Sequence, residues 1–305
     1  MGKTKRYPKP RAKKLNQREV KAFLKNTGFK TEKIIQEWRH LIAFGEYKNK
    51  PAVFKLASTK KTSRYTKNEY YWNDVIAEYS HKQNLSFKVP ENYSLGEYEG
   101  LFYFICEWFF GETLDKEKKY PLEKIAQMAH EIISMPRPSV DPPNINSKRR
   151  KMPVGEKLLE SATEWSSQVP RNTNGYLKII SNVKDKLKTA PAHGDFTVRA
   201  MFALKNNKIG LIDGEHYGYK GPKYYDPAWF YLRTRLEQNA LPQAKEFLKI
   251  FQTFLPKPEK KIFWEELKPV LTQRFIGHLW GAKNNKEELD KLEIIGEEIL
   301  TDKII

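Results

Sequence analysis

Asp195 and Asp213 stand 18 residues apart, on either side of two short apolar runs, Met201 to Leu204 and Ile209 to Ile212. The runs flank a polar turn, Lys205 to Lys208, centred on Asn206-Asn207, and read as a tight hairpin. A hairpin folds back on itself, so the two carboxylates arrive on the same side. Lys55 sits earlier in the chain on an apolar strand, AVFKLAS. Paired carboxylates with such a lysine suit phosphoryl transfer: one acid positions or deprotonates a hydroxyl, the other holds Mg²⁺ on nucleotide phosphates, and the lysine holds the phosphates themselves. Each residue has a plainer reading, since aspartate forms turns at hairpin ends and a strand lysine can reach solvent. Their joint occurrence favours the chemical one.

The elements that must position these groups can be followed along the chain. Asn16 to Lys25 reads as a short helix, and from Gly28 onward β-branched and alternating residues predict strands. Ile34 to Tyr47, the turn Lys48-Asn49-Lys50 and Ala52 to Ala57 predict an antiparallel hairpin. A turn near Gln36-Glu37-Trp38 has no glycine cluster with which to present backbone N–H groups to phosphate. Thr66 to Ser80 predicts a helix with Glu69 in its first turn, where the helix dipole also favours a glutamate. Strands at Tyr93–Glu97 and Leu101–Glu107 lead to a crossing segment, Trp108 to Gly111, beyond which the chain turns mostly helical. Helices are predicted at Pro121–Met135, Gly155–Gln168, Tyr176–Leu187, Pro242–Leu255, Phe263–Trp280 and Lys286–Leu300. Pro136 to Asn146, with four prolines, and the basic run Lys148 to Lys151 read as a loop or insertion. Trp229-Phe230-Tyr231 reads as core packing.

Composition limits the possibilities. The chain has 305 residues, 39% of them apolar and 13% aromatic, too aromatic for a disordered chain and long enough for a bilobal unit. Its longest apolar stretch, Leu101 to Phe110, is interrupted by Glu107 and falls far short of the ~20 residues that span a bilayer. No membrane partner is expected. A single cysteine, Cys106, excludes an internal disulfide framework and suits a reducing compartment, so the cytoplasm is the expected location. Six scattered histidines lack zinc-ligand spacing. The net charge of +18 would attract nucleic acid, anionic lipid or a phosphorylated ligand. Seven of the first 14 residues are basic, so part of the excess belongs to a tail, residues 1–15, that reads as disordered.

With these residues in view, the sequence resembles the aminoglycoside phosphotransferase and choline kinase superfamily. His193-Gly194-Asp195 matches its HGD signature, Ile212-Asp213-Gly214-Glu215 its metal segment at the usual interval, and CEWFFGETL its interlobe hinge. The resemblance runs over roughly residues 28 to 235. It implies a bilobal α+β protein-kinase-like fold: a small antiparallel β N-lobe with one main helix (16–107), a hinge (108–111), and a mainly helical C-lobe (112–305) carrying the catalytic loop 193–200 and the metal segment 211–215. It implies Asp195 as catalytic base, Asp213 and Glu215 toward Mg²⁺, and Lys55, Glu69 and Glu107 toward ATP or GTP; Arg199, in the same loop, is read as a further positive charge for the phosphates. His193 then fixes the loop, and Asp226 is a buried acid bracing it. The acceptor is a hydroxyl of a small molecule, met by residues 115–176 and the final helices; the basic balance does not favour a cationic aminoglycoside. One departure matters: where the family places a metal-binding asparagine, this chain has Ala200, and a methyl group cannot ligate Mg²⁺. Ala200 and the glycine-poor turn motivate a rival reading, a kinase-like binder with little turnover. The basic tail and Lys148 to Lys151 motivate a second, a nucleic-acid-associated protein.

Overall fold

The structure is a computed structural model that describes residues 13–116, 120–138, 152–205 and 208–304. Most of the basic tail, the run Lys148 to Lys151, and the turn centre Asn206-Asn207 lie outside the described residues.

Turn chemistry organises the first hundred residues. Lys48 and Asn49 both take left-handed φ values (51° and 62°), as do Glu99 and Gly100 (50° and 69°), and each pair closes a two-residue hairpin. The strands are β1 (Phe29–Glu37), β2 (His40–Tyr47), β3 (Lys50–Ala57), β5 (Asn92–Tyr98) and β6 (Leu101–Glu107), in an antiparallel sheet of order β1-β2-β3-β6-β5. The stretch Ile34 to Tyr47 is therefore two strands rather than one, folded back at Trp38-Arg39, just after the expected turn. Helix α1 (Gln17–Asn26), capped by the Asn16 side chain, buries Val20 and Leu24 against one face with Phe29, Leu41, Phe54 and Ile105.

The main helix, α2 (Lys60–Lys82), begins six residues before the predicted Thr66. Thr59 caps it by accepting the Thr62 N–H at 3.1 Å. Glu69 is thus a mid-helix residue, a correction to its expected first-turn place. The early turns escaped the apolar pattern because the buried stripe is polar: Thr62, Thr66, Glu69 and Asn73 recur at helical spacing and all are buried. Such a stripe is stable only where its polar groups meet partners.

Beyond β6 the chain is mainly helical: α3 (Leu122–Ile133), α4 (Val154–Ser166), α5 (Asn174–Ser181), α6 (Tyr225–Glu237), α7 (Leu241–Phe254), α8 (Lys257–Ala282) and α9 (Lys286–Leu300). The helix expected over Tyr176–Leu187 ends at Ser181. Two small sheets lie among the helices. β8 (Met201–Ala203) and β9 (Ile209–Leu211) form the expected hairpin, with the short β4 (Phe87–Lys88) beside β9, and β7 (Thr189–Ala192) pairs with β10 (Gly218–Pro222). The last pair, and α6, lack a sequence signature. The strands are short, and α6 is buried nearly all round, so no amphipathic period survives. The whole is an α+β architecture with an antiparallel N-terminal sheet and a mainly helical remainder.

The two parts meet where α2 packs on the segment after β9. Trp72 of α2 is fully buried, 4.7 Å from the Tyr217 ring and 5.4 Å from that of His193. A Cβ on Gly214 would stand 2.1 Å from its Cδ1 and 2.3 Å from its Cγ, so only glycine fits. Gly214→Ala should destabilise the fold by about 1–3 kcal/mol, the usual overpacking cost. Urea unfolding would register this as a lower midpoint at unchanged slope.

Candidate active site

Lys55 occupies β3, the middle strand of the sheet, with its ammonium buried beneath α2. Nζ donates to Glu69 Oε2 at 2.6 Å and to Asp213 Oδ1 at 2.8 Å. Burial alone would push this ammonium down, but Asp213 and Glu69 outweigh it and hold Lys55 above its ordinary value. The acids respond differently. Glu69 is pushed up by burial against the pull of Lys55, whereas Asp213, although burial opposes it, is held low by Lys55. Asp213 takes a left-handed φ of 63°, which aspartate tolerates, and its side chain remains 44% exposed. Sheet, helix and post-hairpin segment therefore converge on one cation, with an acid left facing outward.

The loop bearing Asp195 is braced from below. Asp226, in the first turn of α6, accepts the backbone N–H groups of His193 at 2.6 Å and Gly194 at 2.9 Å. Burial raises its carboxyl to about 7, in spite of those two donors. The buried His193 ring, pulled down by burial, donates from Nε2 to the Ile212 carbonyl at 3.0 Å. It thereby joins the loop before the hairpin to the strand end after it, and it is neutral. Asp195 Oδ1 accepts the indole N–H of Trp229 at 2.9 Å. Because the His193–Ile212 bond joins the residue two before Asp195 to the residue just before Asp213, the hairpin brings the two acids together.

Glu215 adds a contact that the sequence did not announce. Arg39, on the glycine-poor β1–β2 turn, ion-pairs with Glu215 Oε1 and lies over the Tyr65 ring at 5.1 Å. Glu215 Oε2 is buried without a hydrogen bond, 3.9 Å from His40 Nε2. Asn68 of α2 fixes the segment by donating to the main-chain carbonyls of Glu215 and Tyr217, at 3.0 Å each. Arg39, Asn68 and Trp229 are the residues that sequence reasoning missed as site members. Only Arg39 left a trace, as a cation on the turn expected to cover phosphates.

Two expected nucleotide contacts lie outside this cluster. Arg199 pairs with Glu237 of α6 at 3.2 Å, because the single 3₁₀ turn Val198–Ala200 directs it toward that helix. Glu107, the last residue of β6, accepts from Lys88 Nζ at 2.6 Å.

Within the site, Lys55 and Arg39 face Glu69, Asp195, Asp213 and Glu215, two cations against four carboxylates. Among the described residues no group of three or more His, Cys, Asp or Glu is arranged to hold a metal unaided. Ala200 is buried and presents only a methyl group. Asp213 and Glu215 nevertheless supply carboxylate oxygens, one of them unbonded, and Mg²⁺ is characteristically held by one or two carboxylates with phosphate oxygens and water completing its shell. The residues present fit Mg²⁺ on a nucleotide better than a bare ion.

No sequence-family model matches the chain, and no curated protein matches it by sequence. Its fold does have solved counterparts. The aminoglycoside phosphotransferase APH(4)-Ia superposes with a TM-score of 0.69 at 16% identity, over 94% of this chain and 99% of that one. An aminoglycoside 2'-phosphotransferase-IIIa variant in its GDP complex gives 0.61 at 12% identity, over 94% and 98%. Choline kinase LicA from Streptococcus pneumoniae gives 0.57 at 13% identity, over 93% and 98%. A thermostable APH(4)-Ia mutant solved with ADP and hygromycin B is similar at a TM-score of 0.63. The chain has the kinase-like fold of these small-molecule kinases.

His40 makes the site acid-sensitive. Buried, 3.1 Å from Thr66 Oγ1 and close to Lys55 and Arg39, it is held neutral, its pKa lowered to about 2 by burial and then by those cations. Below its ordinary value of about 6.5 the unfolded chain binds a proton there that the folded chain refuses, so stability is lost as pH falls. His40→Gln should flatten the decline between pH 6.5 and 5 by up to about 1 kcal/mol per pH unit, measured by urea unfolding across pH. An unchanged slope would place the acid sensitivity elsewhere.

Proposed function

We propose that this chain is a small-molecule kinase that transfers the terminal phosphoryl group of ATP or GTP to a hydroxyl, with Mg²⁺ on the phosphates. The observation that carries the reading is the buried Lys55, held between Glu69 and Asp213 beside the braced Asp195 loop. Lys55, positioned by Glu69, and Arg39 supply positive charge to the phosphates. Asp213 and Glu215 are the residues that would hold Mg²⁺, which would neutralise the charge that develops on the phosphates. The Trp229 indole occupies Oδ1 of Asp195 and orients its carboxylate, leaving Oδ2 to accept the acceptor's proton. The acceptor oxygen bonds to phosphorus, the bond from phosphorus to the bridging oxygen breaks, the nucleoside diphosphate leaves, and the proton passes to Asp195. The solved relatives that carry ADP or GDP support a nucleotide in the cleft.

The rival reading, a binder with little turnover, is favoured by Ala200 and by the Arg39–Glu215 pair, which engages one of the two Glu215 oxygens. Measurements separate the two. Asp195→Asn should cost about 10²–10⁴ in turnover while calorimetry still registers MgATP binding, and Asp213→Ala should abolish metal-dependent binding. Wild-type protein without metal-dependent nucleotide binding at millimolar ATP would refute the assignment.

Arg39 provides a second measurement. Arg39→Ala should weaken ATP and ADP by roughly tenfold, the value of a charged hydrogen bond, and leave adenosine binding alone. Equal losses for ATP and adenosine in calorimetry would give Arg39 a purely structural role.

A further inference from the structure

On α8, Arg274 is enclosed by three aromatic rings. Its guanidinium carbon lies 4.2 Å from the ring centre of Trp229, 5.3 Å from that of Tyr225 and 5.5 Å from that of Trp165. Aromatic faces grouped around one point are how proteins hold organic cations, quaternary ammonium groups above all. Here the enclosure is filled by the chain's own cation. It is also next to the chemistry, because Trp229 is the residue whose indole N–H donates to Asp195.

The charge of Arg274 is unanswered. Two other arginines lie nearby, Arg233 over the Trp229 ring at 5.2 Å and Arg199, and both are paired with Glu237, at 2.7 Å and 3.2 Å. Arg274 has no ion pair among the described residues, and its Nε is buried without a hydrogen bond. A partly buried guanidinium without a carboxylate is costly, and its planar fork of donors matches a carboxylate or a phosphate. It is linked to the proposed base through Trp229, whose ring it covers and whose indole N–H donates to Asp195.

We propose that the acceptor is an anionic alcohol, a hydroxyl compound bearing a carboxylate or phosphate, which Arg274 docks so that its hydroxyl meets Asp195. This names the substrate class of the phosphotransferase reading and rests on it. Amino alcohols and amino sugars are disfavoured on two counts, since their aromatic enclosure is taken and the group that takes it repels them.

The test uses two scaffolds in matched charge states: glycerol, glycerate, glycerol phosphate and aminopropanediol, then glucose, gluconate, glucose phosphate and glucosamine. Nucleoside diphosphate release gives kcat/KM for each, and tryptophan fluorescence of the MgADP-loaded protein gives the binding order of the same compounds. Anionic members should lead their neutral counterparts by roughly ten- to hundredfold in turnover or binding, and amines should come last. The carboxylate and phosphate members of each scaffold separate the two anion sources. Arg274→Ala should collapse the anionic preference and Arg274→Lys should retain part of it; Arg274→Gln serves if the alanine variant does not fold. A leading amine, no discrimination by charge, or an anionic preference that survives in a folded Arg274→Ala would each overturn the proposal. MgATP calorimetry on the wild type keeps the two readings apart, because a failure there strikes the phosphotransferase assignment and not the charge of the acceptor.

Discussion

The ammonium of Lys55 is the constraint from which the site follows. A charge sealed under a sheet is tolerated only when opposite charges reach it, since an unpaired buried ion costs several kcal/mol. Its two partners come from elements distant in the chain, Glu69 from the middle of α2 and Asp213 from beyond the hairpin, 158 residues on. No one of the three elements can shift without stranding a charge. The same demand explains why α2 carries a polar stripe into the protein: Thr66 meets His40, Glu69 meets Lys55, and Asn68 holds the carbonyls that follow Asp213. The buried Cys106 thiol, on the adjoining strand, is pushed well above its ordinary value by burial and does not compete as an ion.

A second set of contacts keeps the two aspartates together independently of that charge. Asp226 grips the backbone before Asp195, His193 ties this loop to the end of β9, and Trp72 lies against Gly214. These are short-range, directional constraints on backbone, made by none of Lys55, Asp195 and Asp213. On the kinase reading, residues that brace can therefore be distinguished from residues proposed to react. Asp226 spends both its oxygens on backbone N–H groups, whereas Asp195 has one oxygen on Trp229 and Asp213 has one on Lys55.

What was legible in the sequence was whatever short-range order could encode. The Lys48-Asn49 turn, the apolar runs of β8 and β9, and the capped helices are local, and the two aspartates stand out around their hairpin; the pairing of Lys55 with Glu69 was implied by the family resemblance alone. What was not legible is set by direction and distance. Arg39 meets Glu215 across 176 residues, a pairing that no local pattern records. Arg199 stands in the loop as a free cation by sequence, yet the 3₁₀ turn sends it to Glu237. Trp229, read as packing, is packed, but its one polar atom finds Asp195. The polar stripe of α2 hid the helix start because a search for apolar periodicity passes over a helix whose buried face is hydrophilic.

Ala200 and Arg39 belong together in the electrostatics of the site. An amide oxygen in place of the Ala200 methyl would be a neutral ligand, adding a coordination bond without changing the charge. With the methyl, on the kinase reading, a metal would depend on carboxylates alone, which draw a divalent ion more strongly but repel one another without it. The β1–β2 turn supplies the remedy, a guanidinium seated on Glu215 within the field of Asp195 and Asp213. On the kinase reading, a metal-bound nucleotide brings partners for both halves of that pair, phosphate oxygens for Arg39 and the cation for Glu215. Neither half then has to be left unpaired in a site where unpaired charge is costly. A glycine-rich turn would offer only backbone N–H groups and could not balance the acids when no nucleotide is bound. On that reading the buried methyl of Ala200 and the glycine-poor turn have one consequence, that a loop arginine carries charge balance which neutral ligands would not supply.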